Sequence, residues 1–85
     1  MNDDYSDLIE LGGFYILSQR YDEAIKVLRK AEKIQKTDPK LYYNLGIAYE
    51  ALNEISDARD AFRLVLKLSP DNKSAQEHLD KLIEE

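Results

Sequence analysis

The chain has 85 residues, of which 44% are hydrophobic and 34% charged, with a formal net charge of -5 and neither cysteine nor tryptophan. A chain this short buries only about 60% of the surface its unfolded form exposes, which leaves room for a helix-to-helix core and none for an enclosed catalytic cavity. The missing cysteine excludes disulfides and thiolate zinc sites and fits a reducing compartment, the negative charge argues against nucleic acid as a partner, and no apolar run approaches the roughly 18 residues of a membrane span.

Residues 1–19 hold Asp3, Asp4, Asp7 and Glu10 and no base, the opposite of the basic start of a signal peptide, so a cytoplasmic protein is expected. Asp3 and Asp4 open a first helix, where a carboxylate caps free N–H groups and suits the helix dipole. Its apolar stripe is Leu8, Leu11 and Tyr15. A second amphipathic helix begins near Asp22, carries Ala24, Val27, Leu28, Ala31 and Ile34, and runs out at Lys36. Asp38 followed by Pro39 reads as an N-cap with proline in the first turn, starting a third helix that extends through Leu52. A fourth covers Ser56 to Leu68 with Ala58, Ala61, Phe62 and Val65 inward, and Ser69-Pro70-Asp71-Asn72 stops it. The last carries Ala75, Leu79, Leu82 and Ile83. No strand pattern competes, and links this short make consecutive helices antiparallel neighbours, so the fold class is all-α.

The chain also repeats itself 34 residues downstream: Leu11-Gly12, Tyr15 and Ala24 recur as Leu45-Gly46, Tyr49 and Ala58. Arg29 and Lys33 recur as Arg63 and Lys67, and sizes match at Leu28 against Phe62 and Ile34 against Leu68. A period in this range means stacked units rather than one closed core. Two helices approach closely where small residues meet, and Gly12 with Ala24 and Gly46 with Ala58 are the expected pairs.

This constellation resembles the tetratricopeptide repeat, whose motif is held by Leu8, Leu11, Gly12, Tyr15, Ala24, Leu28, Ala31 and Lys36, and again by Tyr42, Leu45, Gly46, Tyr49, Ala58, Phe62, Val65 and Pro70. The resemblance implies one domain over 1–85: repeats at 5–38 and 39–72 as a right-handed stack of two antiparallel hairpins, then a capping helix at 73–85. Tyrosines would fill the space between hairpins. The sequence departs from the family pattern at several places. Lys36 stands for the expected proline, which predicts a second helix longer than the fourth. Gln19 and Asn53 stand for the turn glycine, and Arg20 and Glu54 stand where a capping Asp would contribute about 1 kcal/mol each.

Function follows from the resemblance: a non-catalytic module whose first helices line a concave groove that holds a peptide or helix of a partner protein. The matching positions are Ser6, Ile9, Gly13, Ile16 and Leu17, then Lys40, Tyr43, Asn44, Ile47 and Glu50, with Ser74, Glu77, His78 and Lys81 from the cap. Ile9, Ile16, Tyr43 and Ile47 would make an apolar middle rimmed by charge, Gly13 would leave an opening, and Tyr43 is the anchor candidate. The rival reading is self-association through the groove or an exposed helix face, giving a homo-oligomer. One subgroup of the family grips chaperone C-terminal carboxylates with Lys, Asn, Asn, Lys and Arg. Here only Asn44 matches, with Ile9, Gly13, Ser74 and His78 at the other four places, so no such clamp is expected.

Other constellations carry less. Lys26, Arg29, Lys30, Lys33 and Lys36 make the second helix basic, but Glu23 and Glu32 sit among them and no aromatic residues interleave, as on a solvated face. Asp3, Asp7 and Glu10 share a face that suits the helix start better than a cation. His78 is the only histidine and falls on a polar helix face, with no cysteine or second histidine to share a metal. No nucleophile beside a base, glycine-rich phosphate loop or walled carboxylate pair is present, so neither enzyme nor cofactor is expected.

Overall fold

The computed structural model describes residues 4–83. They form α1 (Tyr5–Leu17), α2 (Tyr21–Ile34), α3 (Pro39–Ala51), α4 (Ile55–Leu68) and α5 (Lys73–Ile83). α1 packs on α2 and α3 on α4 as antiparallel hairpins, α2 also packs on α3, and α5 closes against α4. All five are helices, and no strand occurs among the described residues.

The helix starts follow the cap chemistry. Asp3 lies outside the described residues, and Asp4 caps α1 by accepting from the Asp7 N–H at 2.9 Å. Asp38 caps α3 by accepting from the Lys40 N–H at 2.9 Å, with Pro39 in the first turn where its missing N–H costs nothing. Asn72 accepts from the Ala75 N–H at 2.9 Å and so opens α5. Arg20 and Glu54, at the starts of α2 and α4, make no side-chain cap bond. Arg20 instead pairs with Glu23 at 2.7 Å.

The turn inside each hairpin is the same object twice. Gln19 and Asn53 both sit at φ 61°, and Arg20 and Glu54 donate their N–H to Tyr15 and Tyr49 carbonyls at 2.8 and 2.9 Å. That left-handed backbone costs an ordinary L residue about 1–2 kcal/mol, less for asparagine.

Lys36 does not lengthen α2. The helix ends at Ile34, with 14 residues like α4. Gln35 is extended, at φ -148° and ψ 130°, and Lys36 Nζ donates back to the Glu32 carbonyl at 3.2 Å, satisfying a free helix-end acceptor from outside. The stop comes from downstream: a residue preceding proline avoids helical backbone, and Asp38 must be extended to cap α3.

The glycines are matched to the large residues rather than to the alanines. A Cβ on Gly12 would lie 2.5 Å from the Leu28 side chain, and one on Gly46 would lie 2.7 Å from the Phe62 ring. Leu28 and Phe62 are fully buried, so each seats its side chain in the notch the glycine leaves. Ala24 and Ala58 are also fully buried.

The tyrosines join the hairpins through their hydroxyls as well as their rings. Tyr5 donates to Asp38 at 2.8 Å, Tyr42 donates to Glu32 at 3.0 Å, and Arg29 donates to the Tyr49 hydroxyl at 2.6 Å. Asp38 therefore works twice, once for each hairpin. Burial foremost, then the bond to Glu32, pushes the Tyr42 phenol up to about 12. Tyr5 is raised as well, by burial and then by Asp38.

α5 is a cap on one side only. Ala75, Leu79 and Leu82 are buried, Arg59 donates to the Leu82 carbonyl at 3.1 Å, and Lys73, Gln76, Glu77, Asp80 and Lys81 face outward, exposed. The expectation for the Ile83 side chain lies outside what is described.

Candidate functional site

α1, α3 and α5 bring together the residues expected in a groove. The site rests on the glycine notches: because Leu28 and Phe62 sink into α1 and α3, the second helices lie close behind and the first helices form the opposite wall. Ile9, Ile16, Tyr43 and Ile47 all lie on this wall, half-buried and packed against the core. They are therefore seams between helices that keep one flank outward, and not a fully exposed strip. Side chains at helical spacing on neighbouring helices pack on each other before they meet solvent.

Gly13 is the gap in the wall. A Cβ placed there has nothing within 4 Å, so the space in front of it is open and the glycine serves no internal contact. Ser6, Lys40, Ser74, Glu77 and Lys81 are exposed along the margins, and Asn44 and Glu50 are half-buried.

His78 does not lie on a polar face. Its ring stacks on Phe62 with centroids 4.9 Å apart and planes 4° apart. Tyr43 meets both rings edge-on, at 5.7 Å to Phe62 and 5.9 Å to His78. Nδ1 of His78 lies 2.9 Å from a Glu50 carboxylate oxygen, and the Tyr43 and Ser74 hydroxyls are 2.6 Å apart. α5 thus fastens to α3 through Tyr43, Glu50, Ser74 and His78, all four of them groove positions. Phe62 is the buried support; the sequence marked it as an inward residue of the fourth helix and gave no sign of its contact with His78. Tyr43 is held in one orientation by its ring contacts and hydroxyl, which removes the ordering cost a free aromatic side chain would carry on binding. Beside it lies an open depression of about 410 Å³ between Lys40, Tyr43, Ser69 and Asn72.

On basic α2, Arg29 is 3.3 Å from Glu32 and bonded to Tyr49, and Lys36 is turned back on its own helix end. Among the described residues no three His, Cys, Asp or Glu side chains gather as metal ligands, and no helix is long and apolar enough to cross a membrane. The wall offers half-buried apolar surface and hydrogen-bonding groups.

The outer face of α1 departs from the expectations made for it, which put Leu11 in an inward stripe and Leu17 in the groove and gave Phe14 no place. Leu11 is 38% exposed, Phe14 59% and Leu17 86%, while Leu45, the repeat counterpart of Leu11, is 3% exposed. The stripe at Leu45 is covered by α2, and no described element covers the same stripe on α1. Comparing the repeats position by position contained the signal, since Asp7 and Phe14 stand where the second repeat has Leu41 and Ala48.

Comparison with known proteins agrees with the period. The family profile described as "Tetratricopeptide repeat" matches residues 39–72, and one described as "TPR repeat" matches residues 14–53. The chain is 35% identical over 72 residues to the Hsp70-Hsp90 organising protein of Plasmodium falciparum, which covers 85% of the chain and 29% of that protein. It is 39% identical over 62 residues to human tetratricopeptide repeat protein 17, covering 73% of the chain and 5% of the relative. It is 31% identical over 74 residues to the anaphase-promoting complex subunit 3 of Dictyostelium discoideum, covering 86% and 8%. The chain spans less than a third of the length of each of these relatives.

Proposed function

The chain belongs to the tetratricopeptide repeat family, whose members are protein-interaction repeats, and on that premise we propose that its concave wall binds a helix or extended peptide of a partner protein. The observation that carries the reading is the row of half-buried Ile9, Ile16, Tyr43 and Ile47 beside the open space at Gly13. An apolar side chain entering that space loses its water against a wall that is already ordered, and covering one Leu- or Phe-sized group contributes about 1.5–3 kcal/mol. Lys40, Glu77 and Lys81 at the margins offer charges of both signs to orient the ligand. We read the His78–Glu50 pair as a fastening of α5 to α3 and the wall as a binding surface.

One relative's name joins it to Hsp70 and Hsp90. We do not carry a chaperone-tail clamp over to this chain: of the five polar positions only Asn44 is retained, and Ile9, Gly13 and Ser74 bring no cation to hold a terminal carboxylate. His78 is moreover committed to Glu50. A peptide ending in the chaperone carboxylate is expected not to bind in the micromolar range, and binding at that strength contradicts this reading.

The test is affinity capture from a native lysate with mass-spectrometric readout, wild type beside Ile47→Glu, with folding of the variant checked by circular dichroism. A protein lost only in the variant places recognition on the wall. The same captured set from both baits removes the groove reading.

A further inference from the structure

We propose that the outer face of α1 docks a basic amphipathic helix of a partner protein. The exposed side chains Asp7, Glu10, Leu11, Phe14, Leu17 and Ser18 recur every three or four residues, so they form one stripe along the helix. Its two halves differ in chemistry. Asp7 and Glu10, with the cap Asp4 beside them, make the first half acidic, and Leu11, Phe14 and Leu17 make the second half apolar. No base precedes Arg20 in the chain, and Arg20 is held by Glu23 at 2.7 Å and lies over the Tyr15 ring. Among the described residues no cation pairs with Asp7 or Glu10.

This layout dictates the chemistry of whatever covers the face. Asp7 and Phe14 lie two turns apart on one line, so a helix laid along Leu11 and Phe14 also runs over Asp7 and closes it from water. A carboxylate closed off in this way has to be met by a base. The second repeat shows the contrasting case. Where α2 covers the same stripe of α3, Leu41 stands in the place of Asp7 and Ala48 in the place of Phe14, both fully buried. An apolar helix suits that stripe, whereas α1 calls for one that is apolar against Leu11, Phe14 and Leu17 and basic against Asp7 and Glu10. A second copy of α1 has no such base to bring, since its only nearby cation is the Arg20 already paired with Glu23. Burial of the apolar half supplies the affinity, and the acidic half fixes which way the partner helix lies. The stripe meets the groove only at Leu17, so the inference does not rest on the groove reading.

Two labelled synthetic peptides of about 18 residues, long enough to hold a helix, test it by fluorescence anisotropy. They share one leucine stripe and differ only in carrying lysine or glutamate at the positions that flank it. The lysine peptide is expected to bind the wild type at least about tenfold more tightly than the glutamate peptide, and Phe14→Glu to weaken it by at least the same factor. Asp7→Lys with Glu10→Lys is expected to reverse the preference. Because the whole protein is acidic, the control is the same charge change at exposed Asp71 and Asp80, and Asp71→Lys with Asp80→Lys is expected to keep the order. Equal binding of the two peptides overturns the proposal, as does a control that shifts the preference as far as the α1 variant does. Ile47→Glu is expected to leave the lysine peptide bound. Loss in Ile47→Glu without loss in Phe14→Glu would place the peptide in the groove and overturn the assignment to α1. Sedimentation of the protein alone supplies the last arm: a mass that doubles with concentration and returns to 9.9 kDa in Phe14→Glu would give the face to a second copy and overturn it too.

Discussion

Three glycines of one type have two different uses, and single substitutions separate them. Gly46→Ala drives a methyl into the Phe62 ring, which cannot yield because Tyr43 and His78 hold it from other sides. The gain of up to about 1 kcal/mol in helix propensity is outweighed by overpacking of about 1–3 kcal/mol, so urea unfolding should show a net loss. Gly13→Ala meets no atom within 4 Å and should stabilise the dilute protein by about 0.5–1 kcal/mol, since only propensity changes. Tyr42 gives a residue-scale prediction of opposite origin. Its phenol is raised from 10.0 to about 12 by burial and then by Glu32, so the folded protein holds its proton longer than the unfolded chain does. The stability this group contributes is complete below pH 10.0 and is lost as pH rises through about 12. Tyr42→Phe should lessen that alkaline fall in urea midpoints measured below and above pH 10, with Tyr5, whose phenol is raised as well, keeping a fall of the same sign.

Among the elements, the turn between α1 and α2 is the weakest by local chemistry. Gln19 holds the left-handed backbone that its counterpart Asn53 tolerates better. Gln19→Gly should stabilise by about 1 kcal/mol, and Asn53→Gly by less, both read as shifts in thermal midpoint. Here the limits of reading a sequence become physical. The order, type and approximate ends of all five helices were legible because capping and helical period are local properties: Asp4, Asp38 and Pro39 act on their own neighbours. The end of α2 was not, since what stops it is the extended backbone before Pro39 and a lysine folding back on Glu32. The glycine partners were misassigned because the sequence shows which residues are small and not which large one fills the gap. His78 was misplaced for a related reason: the helix that carries it is polar on that side, and only α3 and Phe62 coming near turn the same side into an aromatic contact. The groove positions could be named but not their exposure, which depends on how far neighbouring helices sink into each other.

At the scale of the whole molecule, the two ends of the stack are built unequally, and stability should follow. α5 packs Ala75, Leu79 and Leu82 inward, stacks His78 on Phe62, and turns Gln76, Glu77, Asp80 and Lys81 to water. α1 carries Leu11, Phe14 and Leu17 outward with no described element over them. A small stack without cysteine has no covalent staple, so its few kcal/mol of net stability rest on how many apolar side chains stay covered. Leu79→Ala should therefore cost about 2–4 kcal/mol, the range for emptying a buried leucine site, and leave a substantial unfolded fraction at room temperature. Phe14→Ala removes a larger side chain from the opposite end, yet should change the unfolding free energy of the dilute protein by less than about 0.5 kcal/mol, as at an ordinary surface position. Urea titrations of the two variants at low concentration decide the matter. Equal losses would mean that α1 is covered in solution even when dilute.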